Sequence, residues 1–211
     1  MKKLLILTII GIALFATLPA NAVEFEGSVG AVSNYIWRGT TQSAGNPAIQ
    51  ASVGLTTEKG FYVNAWGSQV DYNDDTTAEI DLTAGFGNTI GDTNISYDIG
   101  YIRYSYTGDD LEWGDDAQEV YGTLGLGPIS GTIYRDIDMD TNFYVGAVSV
   151  SDIVDMPIDL SAYISRNDAS DLGAGVTVGK TFKSFDVSYS YIWNERDDEE
   201  SNHSVGLSYN F

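Results

Sequence analysis

The sequence predicts an all-β chain, a transmembrane up-and-down antiparallel β-barrel of about twelve strands behind a cleaved signal peptide. Three observations predict it. Apolar residues recur at every second position from Val23 to Phe211, which is the period of a strand with two unlike faces. The connections alternate between short turns and longer acidic loops, as the two ends of such a barrel require. Phenylalanine gathers beside the short turns, as in an interfacial aromatic girdle, whereas the core of a soluble sandwich would hold it at strand centres.

Residues 1–22 have the organisation of an export signal: Lys2-Lys3, an apolar run from Leu4 to Leu18, and the small-x-small site Ala20-Asn21-Ala22. That run is shorter than the roughly 20 residues a spanning helix needs, so residues 23–211 are expected to form the barrel domain. Removing Lys2 and Lys3 takes the net charge from −20 to −22. An excess of 30 acids over 10 bases excludes nucleic acid as a partner, since no basic surface could neutralise a run of phosphates. Aromatic residues at 12% exclude a disordered acidic tail, and the absence of cysteine excludes thiolate chemistry, Cys-based zinc sites and disulfides.

Turn residues divide the chain into strands at 23–37, 48–57, 61–70, 77–87, 93–106, 118–127, 129–135, 141–150, 158–166, 172–182, 184–193 and 203–211. Ala78-Glu79-Ile80-Asp81-Leu82-Thr83-Ala84 shows the alternation plainly. About 16 residues per strand and connection suits strands of about 9 to 11 residues that cross a bilayer at a tilt. Short connections fall at 58–60, 87–92, 127–128, 151–157 and 180–183, and acidic ones at 71–75, 108–119, 136–140, 167–171 and 194–202. No loop is long enough to read as a constriction. Phe25, Phe61, Phe86, Phe182, Phe185 and Phe211 belong to the turn-end girdle, and Phe143 joins Tyr35, Trp37, Tyr101, Tyr191 and Trp193 at the other rim. His203, Val205, Leu207, Tyr209 and terminal Phe211 resemble the C-terminal assembly signal of bacterial outer-membrane proteins.

The segment Ser33-Asn34-Tyr35-Ile36-Trp37-Arg38-Gly39-Thr40-Thr41-Gln42-Ser43, followed by Gly60-Phe61-Tyr62-Val63, Trp66-Gly67-Ser68 and Glu79-Ile80-Asp81, resembles the TorF family of porin-like proteobacterial outer-membrane proteins. The likeness covers the mature chain. It implies an outer-membrane barrel with porin activity and names no solute.

Opposite the apolar parity lie the residues expected to line a pore: Glu24, Glu26, Arg38, Glu79, Asp81, Asp98, Glu119, Asp136, Asp159 and Asp186. A lining this acidic attracts cations, because low-dielectric walls focus its field. Pairing of Arg38 with Glu79 and Asp81 across the barrel would plug it instead. Arg103, Arg135 and Arg166 break the parity rule near the acidic loops. They either reach lipopolysaccharide phosphates at the rim or turn inward at β-bulges. Asp136-Ile137-Asp138-Met139-Asp140 has the opening spacing of a calcium loop but has Thr141 where Gly is required and Ala147 where Glu is required, and so reads as a solvated loop. With His203 as the one histidine and no nucleophile elbow, no catalytic, metal or cofactor site is expected. The function expected is passive, cation-preferring diffusion of small solutes across a Gram-negative outer membrane. Expected partners are outer-membrane lipids, lipopolysaccharide, the barrel-assembly machinery and the solutes. The rival is a closed barrel whose acidic loops serve surface contact or divalent-cation binding.

Overall fold

The computed structural model describes residues 23–108, 117–151, 157–169, 171–195 and 201–211. Residues 1–22, the expected signal peptide, and parts of the connections at 108–119, 151–157, 167–171 and 194–202 lie outside the described residues. The strands are β1 Val23–Val32, β2 Ile36–Trp37, β3 Thr40–Thr41, β4 Ala48–Thr57, β5 Phe61–Gln69, β6 Thr76–Thr89, β7 Ile95–Gly108, β8 Ala117–Leu126, β9 Ile129–Asp136, β10 Asn142–Ser149, β11 Asp159–Asn167, β12 Leu172–Phe182, β13 Phe185–Asn194 and β14 Ser201–Asn210. Twelve of them form one closed antiparallel barrel, each paired with its sequence neighbours and β1 closing on β14, while β2 and β3 form a separate hairpin. A ten-residue strand at about 3.3 Å per residue and a tilt of about 40° spans about 25 Å, the height of a lipid-facing apolar band.

Burial is inverted relative to a water-soluble protein. Among the described residues the buried apolar side chains are only Tyr35, Ala48, Val70 and Tyr104, whereas the buried polar ones include Glu79, Glu119, Asp136, Ser165 and Asn194. Large apolar side chains cover the outside: Leu124 is 66% exposed and Ile164 is 69% exposed. An apolar surface of this extent requires a non-aqueous partner. The two-residue period therefore sorts lipid-facing from lumen-facing positions, and a sandwich core is excluded.

The turn end carries the expected girdle. Phe61 and Phe86 pair at 4.6 Å, Phe185 and Tyr209 at 5.1 Å, and Phe25 and Phe211 at 6.4 Å. His203, Val205, Leu207 and Tyr209 project outward on β14, Phe211 follows directly after it, and all five are exposed. Phe211 closes the seam between the first and last strands: its N–H donates to the Gly27 carbonyl at 3.0 Å and its carbonyl accepts from Gly27 at 2.9 Å. Its ring also occupies the space a Gly27 side chain would need, with ring atoms 2.6 Å from an ideal Cβ.

Two expectations about the loop end are corrected. The first strand stops at Val32 rather than at residue 37. Phe143, Tyr35 and Trp37 leave the loop-end girdle: Phe143 pairs with inward-facing Tyr134, and Tyr35 and Trp37 belong to the segment between β1 and β4. Tyr101, Tyr191 and Trp193 keep the outward parity of that rim.

Replacing Phe211 by Ser should lower the yield of assembled barrel, scored by heat-dependent gel mobility of membrane fractions. Phe182→Ser removes a girdle ring of equal exposure away from the seam and should have a smaller effect. Equal losses would assign the effect to the girdle in general.

Candidate functional site

The lumen is shaped by the segment between β1 and β4, which folds inward. Trp37-Arg38-Gly39-Thr40 forms a two-residue hairpin turn with φ of 50° at Arg38 and 90° at Gly39, the primed geometry that matches strand twist. Glycine adopts such a φ without penalty. Arginine does so at a cost on the order of 1 kcal/mol, and the contacts of its side chain account for its presence there.

Arg38 extends across the lumen to β8. Its two terminal nitrogens donate to the two carboxylate oxygens of Glu119, each at 2.7 Å. Such a fork is the strong, planar form of an ion pair. Around it the guanidinium lies 4.0 Å from the Trp37 ring, 4.2 Å from Phe143 and 4.9 Å from Tyr134, where cation–π attraction adds to the pairing. Tyr104 donates to the same carboxylate at 2.8 Å. Arg38 therefore pairs with Glu119, not with Glu79 and Asp81.

The other side of the hairpin is held to β13 and β14. Asn194 Nδ2 donates to the Arg38 carbonyl at 3.3 Å, Asn202 Nδ2 to the Gly39 carbonyl at 3.0 Å, and Ser204 Oγ to the Asn34 carbonyl at 2.7 Å. Internal bonds stiffen it: Gln42 N–H donates to the Tyr35 carbonyl at 2.7 Å, and Thr41 Oγ1 to Asn34 Oδ1 at 2.6 Å. Tyr35 packs its ring edge on Trp66 at 5.3 Å beside Ala48 and Val70. From the next loop, Tyr72 donates to Gln42 Oε1 at 2.8 Å. Burial first, then the Glu79 carboxylate, pushes the Tyr72 phenol up to about 12, so it remains a donor at neutral pH.

The expectation that no loop constricts the pore is thus overturned: residues 33–47 form a bar across the loop-end mouth. Between the bar and the wall from β8 to β13 remains a cavity of about 500 Å³, lined by residues that include Arg38, Asp136, Phe143, Asn167 and Asn194. A signal was present in the sequence. A strand over 23–37 has 15 residues where about 9 to 11 suffice, and a glycine turn flanked by Trp and Thr lies at its end.

All nine acids expected to line the pore have inward parity, but they separate into two groups. Glu79 and Glu119 are each 3% exposed and Asp136 is 7% exposed. Glu79 accepts from Tyr106 at 2.9 Å, and Asp136 Oδ1 accepts the Asp138 and Met139 N–H groups of its own loop. Asp81 lies beside them on β6. These residues serve the bar and the loop end. Toward the turn end, Glu24, Glu26 and Asp159 are exposed, and Asp98 and Asp186 are half-buried. Tyr62 donates to Asp98 at 2.7 Å, and Asn210 to Asp186 at 2.5 Å.

The three arginines face outward. The registers of β7 through β12 run without a shift, the barrel's irregularity lying between Thr76 and Ala78, so no bulge turns Arg103, Arg135 or Arg166 inward. Arg135 reaches the Asp140 carboxylate and, at 2.8 Å, the Asp140 carbonyl. His203 also lies on the outer face, its Nδ1 2.6 Å from the Tyr189 hydroxyl, while Ser204 faces inward. Neighbours on opposite faces of a strand cannot form a nucleophile–base pair.

This geometry defines a class: a closed twelve-stranded membrane-type barrel whose lumen is barred at one mouth by its own first loop. Residues 16–199 match the family described as "Bacterial protein of unknown function (Gcw_chp)", and the chain belongs to that family. The family is not described under the TorF name. No curated protein matches the chain. Among solved structures the barrel is similar to "KdgM porin in complex with disordered oligogalacturonate", with a TM-score of 0.58 at 9% identity over 89% of this chain and 99% of that one. It is similar to "KdgM porin" with a TM-score of 0.57, again at 9% identity and over the same shares. OpdQ of Pseudomonas aeruginosa aligns with a TM-score of 0.45 at 9% identity over 91% of this chain and 68% of that one, too loosely to carry an argument. The likeness to the KdgM porin is one of fold.

Removing one partner of a largely buried ion pair costs about 3 to 5 kcal/mol, and the partial exposure of Arg38 places this pair toward the lower end. Glu119→Ala should therefore release the hairpin tip and make the Arg38–Gly39 bond a new trypsin site in the folded barrel, read by mass spectrometry of the fragments. Continued resistance at Arg38 would show that the β13 and β14 amides hold the bar without the ion pair.

Proposed function

We propose that the protein is a porin-like channel of the Gram-negative outer membrane, passing small solutes passively and preferring cations. The observation that carries this reading is a closed barrel whose lumen keeps accessible carboxylates at the turn end while its outside is apolar. Such a ring in a narrow low-dielectric passage concentrates cations and repels anions. The KdgM fold supports the channel class. The ligand named for that porin, oligogalacturonate, is a polyanion, and the acidic lumen described above disfavours one. The bar limits the size of what passes at the loop end, and selection by charge falls to the turn-end group. No step in this reading calls for catalysis, a metal or a cofactor.

Export through a signal peptide at 1–22, assembly through the His203 to Phe211 pattern, and contact of Arg103, Arg135 and Arg166 with lipopolysaccharide phosphates belong to the same proposal. The exposure of Arg166 on the outer face supports that contact. A second reading, the closed barrel with acidic loops in surface contact or cation binding, is favoured by the bar itself.

Reversal potentials of the purified barrel in a planar bilayer separate the two. Cation preference is expected, shrinking as salt rises because the Debye length falls from about 10 Å at 0.1 M to about 3 Å at 1 M. Glu26→Gln with Asp186→Asn should weaken it more than Asp74→Asn with Asp75→Asn in an exposed loop. Equal effects would move selection to the outer loops. Anion preference would discard the cation reading, and absence of conductance would favour the closed barrel.

A further inference from the structure

The lumen wall is asymmetric, and the two sides differ in bulk as well as in charge. From β5 to β9 the inward positions carry Tyr62, Trp66, Glu79, Tyr104, Glu119 and Tyr134, several of them packed under the bar. From β12 through β13, β14 and β1 to β4 most of them are small, with Ile192 and Gln50 as larger exceptions. Ser28, Ser52, Thr177, Ser188, Ser190 and Ser208 point inward and all keep accessible surface inside the barrel. Four of the hydroxyls pair, Ser28 with Ser52 at 2.8 Å and Thr177 with Ser190 at 2.9 Å. Neither β12 nor β14 points a charged side chain inward, and the inward acids of β1 and β13 lie at the turn end.

Small side chains leave the open cross-section on their own side of a lumen. Serine and threonine hydroxyls both donate and accept, so they can exchange hydrogen bonds with a hydroxylated solute without desolvating a charge. An anion would meet the turn-end carboxylates before reaching this wall. We infer that solute crosses along this serine and threonine lane, and that the lane suits uncharged polyhydroxylated solutes of pentitol or monosaccharide size. The inference rests on the channel reading and names its path and a solute class.

The chain contains no cysteine, so a single introduced thiol can be modified in the folded barrel without background. Ser190→Cys and Ser208→Cys lie in the lane. Ser68→Cys is an inward control on β5, where the native serine is buried at 5% exposure. After reconstitution into liposomes, a bulky thiosulfonate reagent should react quickly at residues 190 and 208 and cut the rate of swelling in ribitol several-fold. It should react slowly at residue 68 with little effect. Blocking at residue 68 equal to that at 190, or unchanged swelling after complete reaction at 190 and 208, would overturn the path. The triple change Ser188→Ala, Ser190→Ala and Ser208→Ala should slow ribitol several-fold more than it lowers potassium chloride conductance. Unchanged ribitol flux in that variant, or exclusion of ribitol by a parent barrel that conducts potassium chloride, would overturn the solute class alone. A parent barrel that neither conducts salt nor swells would refute the channel reading and this inference with it.

Discussion

Closure of the sheet is the constraint on which everything else here depends. In hydrocarbon an unpaired backbone N–H or carbonyl finds no water, so a strand that crosses must be bonded on both sides and the sheet can have no edge. Pairing of β1 with β14, completed by the reciprocal bonds of Gly27 and Phe211, satisfies that demand. Once the ring is closed, side chains fall into two populations facing two media. The outward one is apolar with aromatic rims, and the inward one is free to be polar because it faces water, the opposite wall or the inserted loop.

A twelve-strand ring is wider than its own side chains can fill. The structure resolves this unequally. At the loop end an inserted hairpin supplies the missing bulk and brings its own polar partners, with Arg38 forked onto Glu119 and the asparagines of β13 and β14 bonded to the hairpin carbonyls. The left-handed backbone at Arg38 is tolerated because the ion pair and three aromatic rings over-determine its position. Below the bar no segment enters, and from β12 through β14 and β1 to β4 the wall carries mostly serine, threonine and glycine at mid-height, above the turn-end carboxylates. Bulky side chains and small hydroxyl side chains thereby line different sectors of one lumen.

Carboxylates of the same parity consequently have different roles. Glu119 and Asp136 are fixtures, one clamping the bar and the other closing its own turn. Glu26, Asp159 and Asp186 remain nearer solvent inside the lumen. Parity alone cannot make this distinction, because it assigns a side chain to a face and says nothing about what stands opposite.

The sequence by itself determined the twelve barrel strands apart from the end of the first, their parity, the two unlike ends and the turn-end phenylalanine girdle. Each of these follows from a period of two and from turn residues, which act between neighbours along the chain. The inward parity of Glu24, Glu79, Asp98 and Asp186 was legible for the same reason. Tertiary structure alone decided that residues 33–47 enter the lumen, that Arg38 meets Glu119 rather than Glu79, and that Phe143 serves the lumen instead of the rim. Those outcomes depend on which strands stand opposite once the ring has closed. Residues 38 and 119 are 81 positions apart in sequence, and only the number, tilt and register of the intervening strands bring them together.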